Sequence, residues 1–256
     1  MQEIILGSPY GGLGDNIQLS TLPELYAKAG HDVYICSEAY FRNPEIKELI
    51  WECNPFVKGT KSGICNAGDT PGRHRPVHPN PISNWEILHG FSPTNTIPKI
   101  YYTPQKIDIF QDVFLVDFSS ISAVFSTRVV EEAYLMIKEK YPDKTFRRVR
   151  FQQNLNPVNE KAQWQNGVFR ELNISVGNDV VVNNIFEYCD IICSSFGFLS
   201  IYSGASHLSS ALKEYNRELI SLCVVRQEHY EHNRRNSLHL YDNIEYILVS
   251  SDGLGF

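Results

Sequence analysis

Asp15 is the residue of this sequence best placed to do chemistry. It closes the stretch GSPYGGLGD, in which Gly11, Gly12 and Gly14 let the main chain turn tightly and a ligand approach it closely, just ahead of a helical pattern whose first N–H groups favour anions. A carboxylate at that place can cap the helix or stand beside a bound ligand as a general base. Asn16 follows it at the rim of the same loop. The turn is not a dinucleotide fingerprint, because G-x-G-x-x-G counted from Gly12 requires glycine at position 17 and Ile17 stands there; no G-K-[ST] follows to make a P-loop.

A second chemistry-bearing stretch lies in the other half of the chain. Ser203, Gly204, Ala205, Ser206 and His207 open the helical pattern SGASHLSSALKEY, so their N–H groups and hydroxyls gather at a positive dipole end suited to a diphosphate. His207 can donate to a phosphate or sugar oxygen, or simply pack locally. Ser119, Ser120 and Ser122, in the polar turn after VFLVDF, offer further hydroxyls, and Arg128 stands nearby as a cation. Whether Arg128, Arg226, Arg234 or Arg235 contacts phosphate is left open by the sequence.

Other clusters carry less. Cys65, His74 and His78 share one loop but do not complete a four-ligand zinc set. His229 and His232 lie among Arg226, Arg234 and Arg235 in a polar segment that lines a cleft or faces water. Trp85, Tyr101 and Tyr102 can stack on a sugar or base, although core packing is the commoner use of such side chains.

The elements that must position these residues alternate. EIIL, the glycine turn and IQLSTLPELYAKAG read as strand, loop and helix, with Gly30 as the stop; DVYIC is a second strand and PEIKELIWE a helix opened by Pro44. Residues 59–104 are dense in Gly, Pro and Asn and read as a long loop of undetermined role, containing a short helix at SNWEILHGF and ending in a strand at IPKIYYTP. Beyond it VFLVDF, FRRVRF, VVV, CDIICSS, LISLCVV and IEYILV read as strands, with helices at about 127–140, around NNIFEY and at SGASHLSSALKEY. Such alternation implies α/β architecture with parallel sheets, divided into an N-terminal lobe, 1–108, and a C-terminal lobe, 109–256.

Composition bounds the partners. The 256 residues carry a net charge of -6, which argues against nucleic acid because a phosphate backbone calls for a basic footprint. Six scattered cysteines without C-x-x-C spacing fit reduced thiols of a cytoplasmic protein. No apolar run approaches the roughly 20 residues of a membrane span, so at most peripheral contact with the inner face of a membrane is expected.

Two stretches together resemble the heptosyltransferase-like glycosyltransferases, glycosyltransferase family 9 of the GT-B superfamily. GGLGDNIQLSTLPEL is similar to that family's N-terminal motif, a glycine turn leading into GD, apolar residues and TLP. NNIFEYCDIICSSFGFLSIYSGASHLSSAL is similar to its C-terminal signature, with Gly204, His207, Leu208, Ala211 and Leu212 in register. The family's acidic opening residue is replaced here by Tyr202 or Ser203, and its proline-glycine turn with a basic residue by SSISAVFSTR, which leaves the donor sugar and its base open.

The resemblance implies two Rossmann-like lobes with parallel sheets facing across a cleft. The first lobe would take the acceptor and the second the nucleotide donor. It implies an inverting, metal-independent transfer of heptose or a related sugar, with Asp15 as the base, no cofactor, and a glycan or glycolipid acceptor such as lipopolysaccharide or capsule. Readings that remain beside it are a sugar-nucleotide hydrolase or epimerase of the same plan and a binding protein without activity. An NAD-dependent oxidoreductase using Glu38 ranks lower because the fingerprint is broken.

Overall fold

The computed structural model describes residues 2–8, 10–65, 76–120, 125–152, 170–250 and 253–254. The chain forms two compact units, one of residues 1–102 with 233–242 and the other of residues 103–232 with 243–256. The segment 233–242, kept with the second lobe in the sequence reading, thus belongs to the first unit.

In the first unit β1 (Glu3–Leu6), β2 (Asp32–Cys36) and β3 (Val57–Lys61) form a parallel sheet in the order β1-β2-β3 among the described residues. Leu6, Val33 and Ile35 bury on it with Ile17, Leu22, Leu49 and Trp51. The single helix expected after the glycine turn is two: α1 (Leu13–Ile17) and α2 (Leu22–Lys28). Pro23 explains the break, since it occupies the first turn of α2, where its missing N–H costs nothing and its fixed φ favours helix entry. The next expected helix, α3 (Pro44–Lys47), is capped by the Asn43 side chain and continues as a wider π turn, Glu48–Glu52. β3 was not expected. It is a short, half-exposed edge strand of polar and glycine residues, without the apolar run that marks a buried strand.

The expected strand at 97–104 does not form. Pro98 and Pro104 have no N–H to give a ladder, and Lys99 pairs with side chains instead: its N–H donates to Ser20 and its ammonium to Glu24, which also accepts from the Tyr101 hydroxyl. The short helix within the long loop is present as α4 (Pro81–Leu88), capped by Asn80. Trp85 on it is buried, so it and Tyr101 serve packing and local hydrogen bonding.

The second unit holds β4 (Val113–Asp117), β5 (Ser119–Ser120), α5 (Thr127–Lys140), β6 (Thr145–Phe151), β7 (Arg170–Glu171) and β8 (Asp179–Val182). After these come α6 (Ile185–Ser194), β9 (Gly197–Ile201), α7 (Gly204–Leu212), β10 (Ile220–Arg226), α8 (Gln227–Asn236), β11 (Glu245–Ser250) and β12 (Gly253–Leu254), with the last residues of α8 belonging to the first unit. The sheet order is β12-β11-β10-β9-β4-β6-β8, parallel except for β12, and β5 pairs β7 separately. This is a doubly wound sheet: from β4 the crossovers run outward one way to β6 and β8, and from β9 the other way to β10 and β11.

CDIICSS is helical, not a strand. The Asn184 side chain accepts from Glu187 N–H at 2.8 Å, Glu187 reaches back to Asn183 N–H, and Ile185, Tyr188, Cys189 and Ile192 bury at helical spacing, so α6 runs through the segment. The strand beside it is GFLSI. Its first residue is Gly197, where a side chain would stand 2.6 Å from the Phe114 ring.

Candidate functional site

The first unit builds its candidate site at the carboxyl end of β1. Gly11 is required by packing, since a Cβ would stand 2.5 Å from the Tyr40 ring while the Gly11 carbonyl accepts from Arg42 N–H at 2.9 Å. The N-cap of α1 is Gly12, with no side-chain cap, and Asp15 lies within the helix, so the carboxylate does not serve as the N-cap. Asn16 is an internal staple. Fully buried, its amide donates to the Gly12 carbonyl at 2.8 Å and the Tyr10 carbonyl at 3.4 Å, and its oxygen accepts from the Trp51 indole at 2.9 Å. It fixes the turn and leaves Asp15 as the turn's carboxylate, 22% exposed.

Two partners of Asp15 come from far along the chain. Arg42 brings its guanidinium over Gly12 on the side of Asp15 Oδ2; burial pulls its pKa down, with Asp15 and Tyr40 opposing. His239 sets Nε2 3.7 Å from Asp15 Oδ1, its side chain 16% exposed. Burial lowers the His239 pKa below the ordinary histidine value against the pull of Asp15, which favours the neutral ring. Tyr241, fully buried, has its hydroxyl pushed far above the usual value by burial and then by Asp15. Neither Arg42 nor His239 was picked out in the sequence, where nothing local marks them.

The second unit gathers its nominated residues at one topological switch point. Asp117 at the end of β4 pairs in register with Ser200 of β9, so the tips that lead to Ser119–Ser120 and to Ser203–His207 are adjacent, where doubly wound sheets take their ligands. Ser203 caps α7, its Oγ accepting from Ala205 N–H at 3.3 Å, and Ser206 Oγ donates to the Ser203 carbonyl at 2.7 Å. Ser203 and Gly204 are half-buried and face the opening of the helix; Ala205, Ser206 and His207 are buried, with His207 edge-on to Tyr202 at 5.5 Å between ring centroids.

Ser119 has both of its donors on Asp117: N–H at 2.8 Å and Oγ at 2.5 Å. Asp117 also accepts from the buried Tyr188 hydroxyl at 2.5 Å, and burial raises the carboxyl's pKa against these hydrogen bonds. Ser120 is buried on the two-residue ladder with β7. Ser122 and His74 lie outside the described residues. Arg128 forms an exposed i,i+4 pair with Glu132, Arg226 makes a hydrogen-bond contact from its guanidinium to the His229 ring nitrogen, and Arg234 and Arg235 are exposed on α8, a helix where the sequence suggests only a polar segment.

All six cysteines are thiols. Among the described residues no three His, Cys, Asp or Glu side chains are grouped to hold a metal ion, and no helix is long and apolar enough to cross a membrane.

No family model and no curated protein matches the sequence. Solved structures do match. The glycosyl transferase family 9 protein from Veillonella parvula superposes with a TM-score of 0.56 at 10% identity over 97% of this chain and 85% of that one. ADP-heptose lps heptosyltransferase II of E. coli gives 0.55 at 10% identity, over 96% and 90%. The iron-containing dodecameric glycosyltransferase TibC from enterotoxigenic E. coli gives 0.53 at 11% identity, over 87% of this chain and 57% of that one, so this chain spans little more than half of TibC. At such identities the likeness establishes architecture. The chain has the GT-B fold shared by these heptosyltransferases and the family 9 glycosyltransferase, the fold that its two sequence motifs implied.

Proposed function

We propose that this chain is a glycosyltransferase that moves heptose or a related sugar from a nucleotide-diphosphate donor to a glycan or glycolipid acceptor of the bacterial surface, such as lipopolysaccharide or capsule. The observation that carries the reading is Asp15: a partly open carboxylate in the first βα turn, not the helix cap, on a turn stapled from beneath by Asn16. In the proposed step Asp15 accepts the proton of the acceptor hydroxyl as that oxygen bonds to the anomeric carbon. The bond from that carbon to the diphosphate breaks, with inversion, and negative charge passes to the leaving group.

Ser203 and Gly204 at the start of α7 receive that charge through N–H groups and the helix dipole. Ala205, Ser206 and His207 shape the same turn from below. The step calls for no metal or cofactor. The enzyme would work in the cytoplasm, with at most peripheral membrane contact, and bind no nucleic acid.

A panel of ADP-, UDP-, GDP- and CDP-sugars, read by thermal shift, tests the donor half, since a ligand at 100 times its Kd adds about 2.7 kcal/mol to stability. One nucleotide class should stabilise the protein; a flat panel would remove the donor assignment. His207→Ala should weaken nucleoside diphosphate binding through loss of the turn's packing, and unchanged affinity by calorimetry would detach His207 from the site.

A further inference from the structure

His239 reaches Asp15 through a segment whose backbone is held in an unusual shape. Ser237 and His239 have φ values of 51° and 53°, the left-handed region that side-chain-bearing residues seldom occupy and that persists where the surroundings enforce it. Contacts within the first unit hold the segment: Ser237 Oγ donates to the His78 carbonyl, Asn80 Nδ2 donates to Asp242 at 3.5 Å, and the His239 N–H donates to Gln18 Oε1 at 3.4 Å.

That last bond bears on the imidazole's tautomer. A backbone N–H can only donate, so the Gln18 atom it meets is the amide oxygen. The other end of the amide is therefore the NH2, which stands 3.4 Å from His239 Nε2 and can only donate to it. With that NH2 as the donor, Nε2 is assigned the lone pair and Nδ1 the proton. The same lone pair is 3.7 Å from Asp15 Oδ1, while Oδ2 lies on the other side, over Gly12. Among the described residues, the charged or titratable groups acting on this pair include Arg42 on the Oδ2 side, with Tyr40 beside it, and Tyr241 from the segment of His239.

We propose that His239 is the second station for the proton that Asp15 receives, with Oδ2 facing the acceptor and Oδ1 facing the imidazole. The proton arrives from the acceptor hydroxyl and makes Asp15 a carboxylic acid. The carboxyl then turns its O–H toward Nε2, that O–H bond breaks and an N–H bond forms. The carboxylate is restored beside an imidazolium, which later gives the proton to water. The weak Gln18 contact gives way when the proton arrives, and in the resting state it keeps the lone pair in place.

The inference rests on the base role of Asp15, but its structural premise is testable without substrate. In protein labelled with 15N at histidine, the His239 resonances are identified as those missing from His239→Asn, a substitution that tolerates left-handed φ. The expected spectrum is the Nδ1–H neutral ring. Asp15→Asn should move its titration to lower pH, because it removes the negative charge that favours the imidazolium. An Nε2–H ring, or a titration that Asp15→Asn leaves unmoved, would overturn the assignment. If His239→Asn does not fold, Gln18→Ala serves: the signal whose tautomer population shifts toward Nε2–H is His239, and no shift in any histidine contradicts the account.

In turnover of the donor chosen by the panel, His239→Asn should lower kcat by about tenfold at unchanged donor KM, less than the ~100-fold for a lost primary base. An unimpaired His239→Asn beside a silent Asp15→Asn removes the relay alone. An unimpaired Asp15→Asn removes the base reading itself.

Discussion

The glycine turn of the first unit and the switch point of the second are built in opposite ways. At the start of α7 the hydrogen bonds are local: Ser203 to Ala205, Ser206 back to Ser203, Ser119 to Asp117. Around Asp15 the partners are distant, with Trp51 anchoring Asn16 from 35 residues away and Gln18 meeting His239 across 221. The first arrangement suits a fixed charge receptor that a strand-to-helix turn supplies by itself. The second places one carboxylate, the proposed base, and surrounds it with side chains that no short segment could bring. A diphosphate receptor tolerates variation in its side chains because much of it is backbone, whereas a base depends on a single group held at one angle.

The sharpest way to break that contrast is at Gly12. A Cβ there would stand 2.5 Å from Asp15 Oδ2, so Gly12→Ala should turn the carboxylate away and reduce kcat by roughly 10- to 100-fold, the scale of a small misplacement at a reacting centre, with little change in Tm. Retained kcat would mean that Oδ2 is not the working oxygen. Next in size is Asn16→Ala, which strands the Trp51 indole and takes the side-chain donor from the Gly12 carbonyl, leaving it only the backbone N–H of residue 16; chemical denaturation should show a loss of about 1–3 kcal/mol, and a loss under 1 kcal/mol would show the turn to be held elsewhere.

Ser203→Ala tests the local side of the comparison. Losing the cap should cost about 1 kcal/mol of stability and weaken nucleoside diphosphate binding only modestly, since the backbone N–H groups remain. A collapse of binding would mean that the side chain, not the helix end, is the receptor.

The smallest effect is in acid. Burial alone would raise the Glu24 carboxyl, but hydrogen bonds from Lys28, Lys99 and Tyr101 outweigh it and hold it at about 2, below the ordinary 4.5. Its folded value is depressed, so its contribution is full above 4.5 and is lost as pH falls from there toward 2. Glu24→Gln should flatten that part of the stability curve, as followed by denaturant midpoints.

What the sequence disclosed follows the same division. The α7 start was readable residue by residue, because a cap, a glycine and a helical period lie side by side, although a sequence cannot show that Ala205, Ser206 and His207 turn inward. Asp15 was nominated from its turn, and its role as base remains a proposal. Asn16 was placed at the rim of the loop and proves to be its buried staple, since nothing near it foretells Trp51. Arg42 and His239 carried no local signal; they matter only because the tertiary fold brings residues 40–42 and 233–242 to the glycine turn. CDIICSS, an apolar run with β-branched residues, misled by period: the capping pair Asn184 and Glu187 decides for helix.

The most direct measurement is release of nucleoside diphosphate from the stabilising sugar nucleotide, with a bacterial glycolipid fraction as acceptor, by the wild-type protein and by Asp15→Asn at matched folding and donor affinity. The account predicts acceptor-dependent release by the wild type and at least ~100-fold less by the variant. Equal rates from the two proteins, or release of free sugar without any need for acceptor, would contradict it.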